Sequence, residues 1–308
     1  QETASIMGIG GAIGIGSVVY ALTRISQLLD EPSLLEDAQH AACLITAEAI
    51  AGDTALDVIA GSAGTILGLL ALYEVAPRQA ILDRAAICGQ HLLGVRTPGA
   101  GGYRVWSTLQ GKPATGFSHG AAGIIYALLR LYAATQDREL FAAACESIAW
   151  ENSLFSPEAS NWADVQGDAS PIFMTTWCHG APGIALARIG GLAMLDTPQI
   201  RADIEVALYK TQQAAIQGPD HLCCGNLGRA EILLTASQRL ARPELTHIAR
   251  EKAALVVTKA EKKGSFVLNA LLPQRLYNPC FFQGLAGIGY GLLRLAYPDV
   301  LPSVLLWE

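Results

Sequence analysis

Charged residues are scarce in this chain of 308 residues, since Asp, Glu, Lys and Arg make up only 16% of it. Ordinary globular domains have about 25%. Aromatic residues are also few, at 7%, and the formal net charge is −6. Positive charge is not clustered beyond the short run Lys259 to Lys263. Such a chain has no electropositive surface for a phosphate backbone, so we expect no nucleic-acid partner.

Cysteines are too few for a disulfide scaffold in a chain of this length. There are seven, and an odd number would leave one thiol unpaired in an oxidising compartment. The start of the sequence also lacks the basic segment, apolar run and small-residue cleavage site of a secretory signal. These features predict a cytoplasmic protein.

One uncharged stretch is long enough to cross a bilayer. It runs over the 21 residues from Thr3 to Thr23. Five of its residues are glycines, and similar segments further along the chain contain His, Cys and Gln, which are costly at membrane depth. We therefore predict a buried helix here and no membrane span.

A repeated glycine motif organises the chain. Six copies of Gly-x-x-Gly, 45 to 60 residues apart, each precede a strongly apolar run; they begin at Gly11, Gly61, Gly120, Gly180, Gly225 and Gly284. Between them lie five segments with the periodicity of amphipathic helices. Helices that are apolar all round belong in the interior of a larger protein. The pattern predicts an all-α fold, an α/α toroid of six inner and five outer helices, with only short hairpins near Gly101 to Trp106.

Chemically reactive side chains lie beside four of the glycine motifs. Asp57 precedes Gly61 by four residues, and His119 stands in FSHGAAG; Cys178 stands in TTWCHGAPG, and Cys223 and Cys224 stand in LCCGNLG. The inner helices should begin at one end of the ring, with their first amides open to ligands, so these side chains could converge there. Three cysteine thiolates in one place suggest zinc, and buried free thiols are the alternative.

The remaining cysteines are predicted to be buried free thiols. Cys43, Cys88 and Cys145 lie on the apolar faces of outer helices, and Cys280 lies in NPCFFQG. His179, next to Cys178, could be a rival metal ligand or an acid. Packing or hydrogen bonding near the helix start is the role we favour for it.

Several motifs together resemble a known family. WCHGAPG, CCGNLG, SHGAAG and FFQGLAGIGYGLLRL are similar to motifs of the lanthionine synthetase C-like cyclases, and the resemblance covers essentially the whole chain. It is closest to the C-terminal cyclase domain of bifunctional class II enzymes. The resemblance implies an α/α toroid that adds a cysteine thiol of a dehydrated precursor peptide to dehydroalanine or dehydrobutyrine. The product is a lanthionine or methyllanthionine thioether ring.

The resemblance also implies roles for individual residues. It implies one zinc ion per chain, held by Cys178, Cys223 and Cys224, with Cys224 in the place of the commoner histidine. Asp57 resembles the family's acidic site residue and could orient a histidine or bond the peptide, with a plain helix cap as the alternative. The reaction itself needs a group that delivers a proton to the enolate carbon or removes the thiol proton, and an imidazole such as His119 suits this role, with helix capping or packing as the alternative. Met174 stands where the family often has an arginine. No role of that arginine is therefore carried over.

The helix count is smaller than the resemblance implies. Seven inner and seven outer helices are expected, and eleven are visible, so we expect an outer, an inner and another outer helix before Gln1. Residues 1–308 would then be a single cyclase domain, the C-terminal fragment of a larger enzyme with an upstream dehydratase domain. The first and last inner helices would expose apolar flanks.

Two other functions fit parts of the pattern. Another zinc toroid enzyme that alkylates thiols, similar to a prenyltransferase, would generally need an aspartate ligand and an aromatic-rich cavity. A noncatalytic peptide-binding scaffold would keep the ring without zinc. A metal assay on the purified protein distinguishes the scaffold from the cyclase.

Overall fold

The structure, a computed structural model, describes residues 7–109, 111–164, 171–269 and 277–308. Twelve α-helices occur in these ranges. In chain order they are α1 (Ile15–Leu29), α2 (Pro32–Cys43), α3 (Ala47–Ala51), α4 (Ser62–Val75), α5 (Gln79–Gly94), α6 (Ala121–Thr135), α7 (Arg138–Ser153), α8 (Ala181–Gly191), α9 (Pro198–Gln213), α10 (Asn226–Leu240), α11 (Pro243–Lys263) and α12 (Leu285–Ala296). The six helices predicted after glycine motifs and the five between them are all present, and the first of the five is divided into α2 and the five-residue helix α3.

The described residues form two compact units. The first contains the described residues up to Leu154 together with Pro171 and Trp307. The second contains Phe155–Asp164 and Ile172–Leu306 together with Glu308. A single domain over residues 1–308 stays a prediction.

Burial separates the glycine-motif helices into two kinds. In α4 every residue from Ser62 to Leu72 is buried, and α6, α8 and α10 are buried over similar lengths. In α1 and α12 only one side is buried. Leu29 of α1 is 69% exposed, and Leu293 of α12 is 53% exposed. These are the apolar flanks expected on the first and last of the six helices.

The amphipathic segments form helices close to their predicted bounds. Pro32, Pro198 and Pro243 each occupy the first helical turn, where the missing amide hydrogen costs nothing. The segment over residues 34–50 does not form one helix, since it breaks after Cys43 and restarts at Ala47. Thr46 caps the new helix, because its hydroxyl oxygen accepts a hydrogen bond from the amide of Ala49 at 3.2 Å.

The fourth position of the glycine motif is pressed against a loop backbone. A Cβ atom on Gly123 would lie 1.9 Å from the carbonyl oxygen of Phe117. The same clash would occur between Gly228 and Leu222, at 1.9 Å. In each case the loop that leads into the helix crosses directly over its first turn. The motif therefore repeats because each of these corners needs the same close approach.

The first amides of these helices are not open to ligands, contrary to the sequence prediction. The first helical residue donates to the carbonyl oxygen seven positions earlier: Ala121 to Ala114 at 2.9 Å, Asn226 to Pro219 at 2.9 Å and Leu285 to Asn278 at 2.8 Å. The incoming loops satisfy the orphan donors that every helix start presents. The first amide of each of these helices is therefore not free to bind a ligand.

Two short hairpins complete the described structure. The first pairs β1 (Thr97–Pro98) with β2 (Arg104–Val105), which confirms the predicted hairpin. The second pairs β3 (Phe155–Ser156) with β4 (Asn161–Trp162) and was not predicted, because two-residue strands have no readable alternation. Within the described residues, no helix has the length and apolar character needed to cross a membrane.

Candidate functional site

Three cysteine thiols meet in the second unit. Cys178 lies in the turn before α8, and Cys223 and Cys224 lie in the turn before α10. Their sulfur atoms lie within 4.8 Å of one another, with Cys178 Sγ 3.0 Å from Cys224 Sγ and Cys223 Sγ 3.4 Å from Cys224 Sγ. Sulfurs around a tetrahedral zinc ion at ~2.3 Å stand about 3.8 Å apart. The donor set and its compactness thus fit zinc.

The three thiols differ in exposure and in pKa. Cys178 and Cys223 are buried, whereas Cys224 is partly exposed. Hydrogen bonds from Cys178 and Cys223 lower the pKa of Cys224. Hydrogen bonds with the same two neighbours, together with burial, raise the pKa of Cys223. The thiol whose pKa is lowered is thus the one that solvent reaches.

Two buried histidines lie beside the cysteines. The amide of Cys224 donates to Nδ1 of His221 at 3.4 Å, and burial lowers the pKa of His221. Nδ1 of His179 lies 2.9 Å from Oδ2 of Asp164. His179 is therefore engaged by a carboxylate near the helix start, as favoured from the sequence, and it does not join the sulfur cluster.

The sequence reasoning missed His221 and Asp164. His221 precedes Cys224 by three residues, the distance of one tight turn, and that spacing was a usable signal. Asp164 lies fifteen residues before His179, and no local sequence pattern predicts that their side chains meet.

An aromatic pair supports the cysteine turn. Trp177 is fully buried and stacks on Phe282 with ring centroids 5.5 Å apart. The carbonyl oxygen of Phe282 accepts a hydrogen bond from the amide of Cys223 at 2.9 Å. Phe282 thus contacts both Trp177, the residue before Cys178, and the backbone of Cys223.

Met174, which stands where the family often has an arginine, takes part through its backbone. Its carbonyl oxygen accepts a hydrogen bond from Nδ2 of Asn161 at 2.8 Å.

A carboxylate–imidazole pair lies in the first unit. Oδ2 of Asp57 is 2.6 Å from Nδ1 of His119, and Oδ1 of Asp57 accepts from the amide of Ala60 at 2.8 Å. Asp57 is buried, while the side chain of His119 is 30% exposed. The loop that carries Asp57 is closed by Asp53, whose Oδ2 accepts from the amide of Ser62 at 2.7 Å. An imidazole held this way can exchange a proton with a bound molecule.

The turn that carries His119 rests on buried aromatic rings. Phe117 stacks on Trp307, with centroids 6.5 Å apart and planes 6° from parallel. The indole nitrogen of Trp307 donates to the carbonyl oxygen of Gly11 at 3.3 Å. Trp307 thereby ties the His119 turn to the glycine corner before α1.

The family model described as lanthionine synthetase C-like protein matches residues 2–306. A search of curated protein sequences finds no match. The motifs that carry the sequence resemblance therefore lie within a match over nearly the whole chain.

Solved structures share the fold. Nisin cyclase superposes with a TM-score of 0.73 at 19% sequence identity, covering 99% of this chain and 82% of that one. The α-1,6-mannanase of Salegentibacter sp. has a TM-score of 0.59 at 15% identity, covering 99% and 97%. The cellobiose 2-epimerase of Bacillus thermoamylovorans has 0.56 at 12% identity, covering 79% and 75%. At sequence identities this low, the likeness shows the fold alone. The superpositions confirm the predicted all-α fold, an α/α toroid.

Proposed function

The chain belongs to the lanthionine synthetase C-like family, and from that premise we propose that it is a zinc-dependent cyclase that forms thioether rings in a dehydrated precursor peptide. The observation that carries the proposal is the compact cluster of Cys178, Cys223 and Cys224. A cluster of three thiols at one point of this fold supplies the ligands that capture of a substrate thiol requires.

Cys178, Cys223 and Cys224 would hold one zinc ion. When bound, zinc would act as a Lewis acid that lowers the pKa of a substrate cysteine thiol. Three thiolate ligands donate more electron density than two thiolates and a histidine. The substrate sulfur then loses less of its own density, so we expect faster attack at the cost of weaker thiol capture.

The reaction needs a proton transfer as well as a thiolate. As the carbon–sulfur bond forms, the carbon–carbon π bond of the dehydro residue breaks and leaves an enolate. The proton lost by the thiol is balanced by one gained at the α-carbon. We assign that proton delivery to His119, with Asp57 as the positioning residue that holds Nδ1.

The supply of substrate defines the partners. A dehydrated peptide must come from a dehydratase, and the class II resemblance supports placing that domain upstream in the same cytoplasmic polypeptide.

The cysteine cluster disfavours the alternative of a prenyltransferase-like zinc enzyme, which would generally need an aspartate ligand. Within the described residues, the cluster consists of three cysteines without a carboxylate.

Metal analysis and ring closure test the proposal together. Purified protein should contain one zinc ion per chain, whereas Cys223→Ala and Cys224→Ala should lose it and keep their helical circular dichroism. Cys43→Ala, which changes an exposed cysteine, is the matched control and should keep both zinc and activity. Equal zinc content in all four proteins would refute the site.

Replacing one ligand tests the charge argument. Cys224→His should keep zinc and close rings more slowly than the unchanged protein, because a neutral imidazole replaces a thiolate. Single-turnover rates on a dehydrated peptide, followed by mass spectrometry after thiol capping, measure the difference. Faster ring closure in this variant would contradict the argument.

A further inference from the structure

A separate cleft lies beside the cysteine cluster in the second unit. It has a volume of about 430 Å³ and is formed by the end of α9, the loop that follows it and the segment before Cys178. Ligand pockets in proteins typically have volumes of roughly 300–1,000 Å³, so this cleft is large enough for a small ligand or for a side chain of a bound peptide. Phe173 and Met174 form an apolar part of the lining, and Lys210 and Arg229 form a cationic part.

Arg229 is set up to bind an additional acceptor. It is only 6% exposed, and its terminal nitrogens donate to the carbonyl oxygens of Thr175 and Ala215, each at 3.2 Å, and to Oδ1 of Asn226. Within the described residues its buried Nε has no hydrogen-bond partner. Buried donors are normally satisfied. The unsatisfied edge of this guanidinium therefore calls for an acceptor.

Three backbone carbonyl oxygens of the lining accept hydrogen bonds from cationic donors. Arg229 donates to Thr175 and Ala215, and Nζ of Lys252 donates to the carbonyl oxygen of Ala214 at 2.7 Å. Burial and the charge of Arg229 lower the pKa of Lys252, as expected where cations lie close together. These three oxygens are therefore already bonded to positive groups.

Asp220 is the carboxylate near Arg229. Burial lowers the pKa of Arg229, and the charge of Asp220 opposes this shift. Its Oδ1 accepts from Nδ2 of Asn226 at 2.7 Å and its Oδ2 accepts from the amide of Val267 at 2.8 Å. Asp220 therefore offsets part of the positive charge of Arg229, while both of its oxygens already accept hydrogen bonds.

Lys210 is the second cation of the lining. Its Nζ donates to the carbonyl oxygen of Ala159 at 2.8 Å. An ammonium group has three N–H donors, so two remain for a ligand.

We propose that this cleft binds a carboxylate side chain, Asp or Glu, of the peptide substrate, with an adjacent apolar residue against Phe173 and Met174. The proposal rests on the proposed peptide-cyclase function. It also explains how the peptide would be positioned. Thr176 lines the cleft, and its hydroxyl lies 3.2 Å from Cys178 Sγ. A residue bound in the cleft is therefore anchored on the segment that carries a cluster cysteine.

Binding of a matched peptide pair to the full chain tests this assignment. The probes are two fluorescent, cysteine-free peptides that differ only in a central Phe-Glu or Phe-Gln pair, measured by anisotropy. A charge-assisted contact should make the glutamate peptide bind about tenfold more tightly or better. Equal binding of the two peptides to the unchanged protein would overturn the proposal.

Two lysine variants locate the effect. Lys210→Glu should abolish the preference for glutamate, and Lys210→Gln, which avoids a reversed charge, should reduce it. Lys259→Glu on α11 is the matched control, since Lys259 is also a half-buried lysine of this unit but does not line the cleft. The control should keep the preference. Equal loss in Lys259→Glu would show a nonspecific charge effect and overturn the proposal.

Inorganic phosphate is the third probe. Phosphate that displaces the glutamate peptide only weakly supports a side-chain carboxylate site, whereas phosphate binding without any glutamate preference overturns it. None of these peptides contains a thiol or a dehydro residue. Their binding can therefore fail while ring closure succeeds, or succeed while ring closure fails, so the two proposals are tested separately.

Discussion

His119 has one ring nitrogen committed to a buried carboxylate. Asp57 holds Nδ1 at 2.6 Å, so in the proposed mechanism proton exchange falls to Nε2. The sequence predicted both residues from their places beside glycine motifs, and orienting a histidine was one of the two roles expected for Asp57. It did not identify which histidine, because a contact across 62 positions of chain depends on how two loops meet.

Replacing His119 tests its role in catalysis. His119→Asn should slow single-turnover ring closure by about 100-fold to 10,000-fold, the usual contribution of proton transfer, while zinc content stays unchanged. His247→Asn, at a histidine that is 76% exposed, is the matched control and should have no effect. A normal rate in His119→Asn would remove this residue from the mechanism. Asp57→Asn should slow the reaction too if it acts through His119.

The burial of the cysteines outside the cluster was only partly predicted from the sequence. Cys88 is buried as expected, but Cys43 and Cys280 are exposed and Cys145 is partly exposed, so burial was wrong for the exposed pair. Cys43 is the last residue of α2, where the chain turns away, and Cys280 lies in the turn before α12. An apolar neighbourhood in sequence does not ensure burial at the end of an element.

Helix α10 contains buried charged residues whose partners the sequence pattern did not predict. It is buried from Asn226 to Ser237 although it contains Arg229 and Glu231. Oε1 of Glu231 is 2.7 Å from Nε of Arg294 on α12 and accepts from Ser303 Oγ at 2.9 Å. The glycine motif predicted its inner position correctly. Partners on other segments make the buried charge tolerable.

Two glycines in α12 give opposite predictions. Gly287→Ala should destabilise the protein by about 1–3 kcal/mol or more, because the new Cβ would lie 1.7 Å from the carbonyl oxygen of Phe281. Gly289→Ala, two residues along the same helix with nothing within 4 Å, should stabilise it by about 0.5–1 kcal/mol. Urea unfolding measures both. Similar effects of the two changes would contradict the close approach at the motif.

Thiol accessibility over the whole molecule provides a further prediction. Native protein treated with iodoacetamide should be labelled first at the exposed Cys43 and Cys280, and Cys88 should stay unlabelled until unfolding. Burial keeps iodoacetamide away from Cys88 and also raises the pKa of its thiol, so little of the reactive thiolate forms. Zinc should protect the three cluster cysteines until a chelator is added. Peptide mass spectrometry reads each site, and labelling of Cys88 as fast as Cys43 would refute the packing.

For the molecule as a whole, the sequence alone determined the repeat, the helix order and the residue types of the candidate site. Hydrophobic period, glycine spacing and helix-starting prolines are local properties, and they act before any distant contact forms. The tertiary structure decided which side chains meet: Cys178 with Cys224 across 46 positions, and His179 with Asp164. It also decided that Lys210 and Arg229 line the same cleft. Those contacts depend on the paths of loops, because each loop sets the direction of the helix it enters.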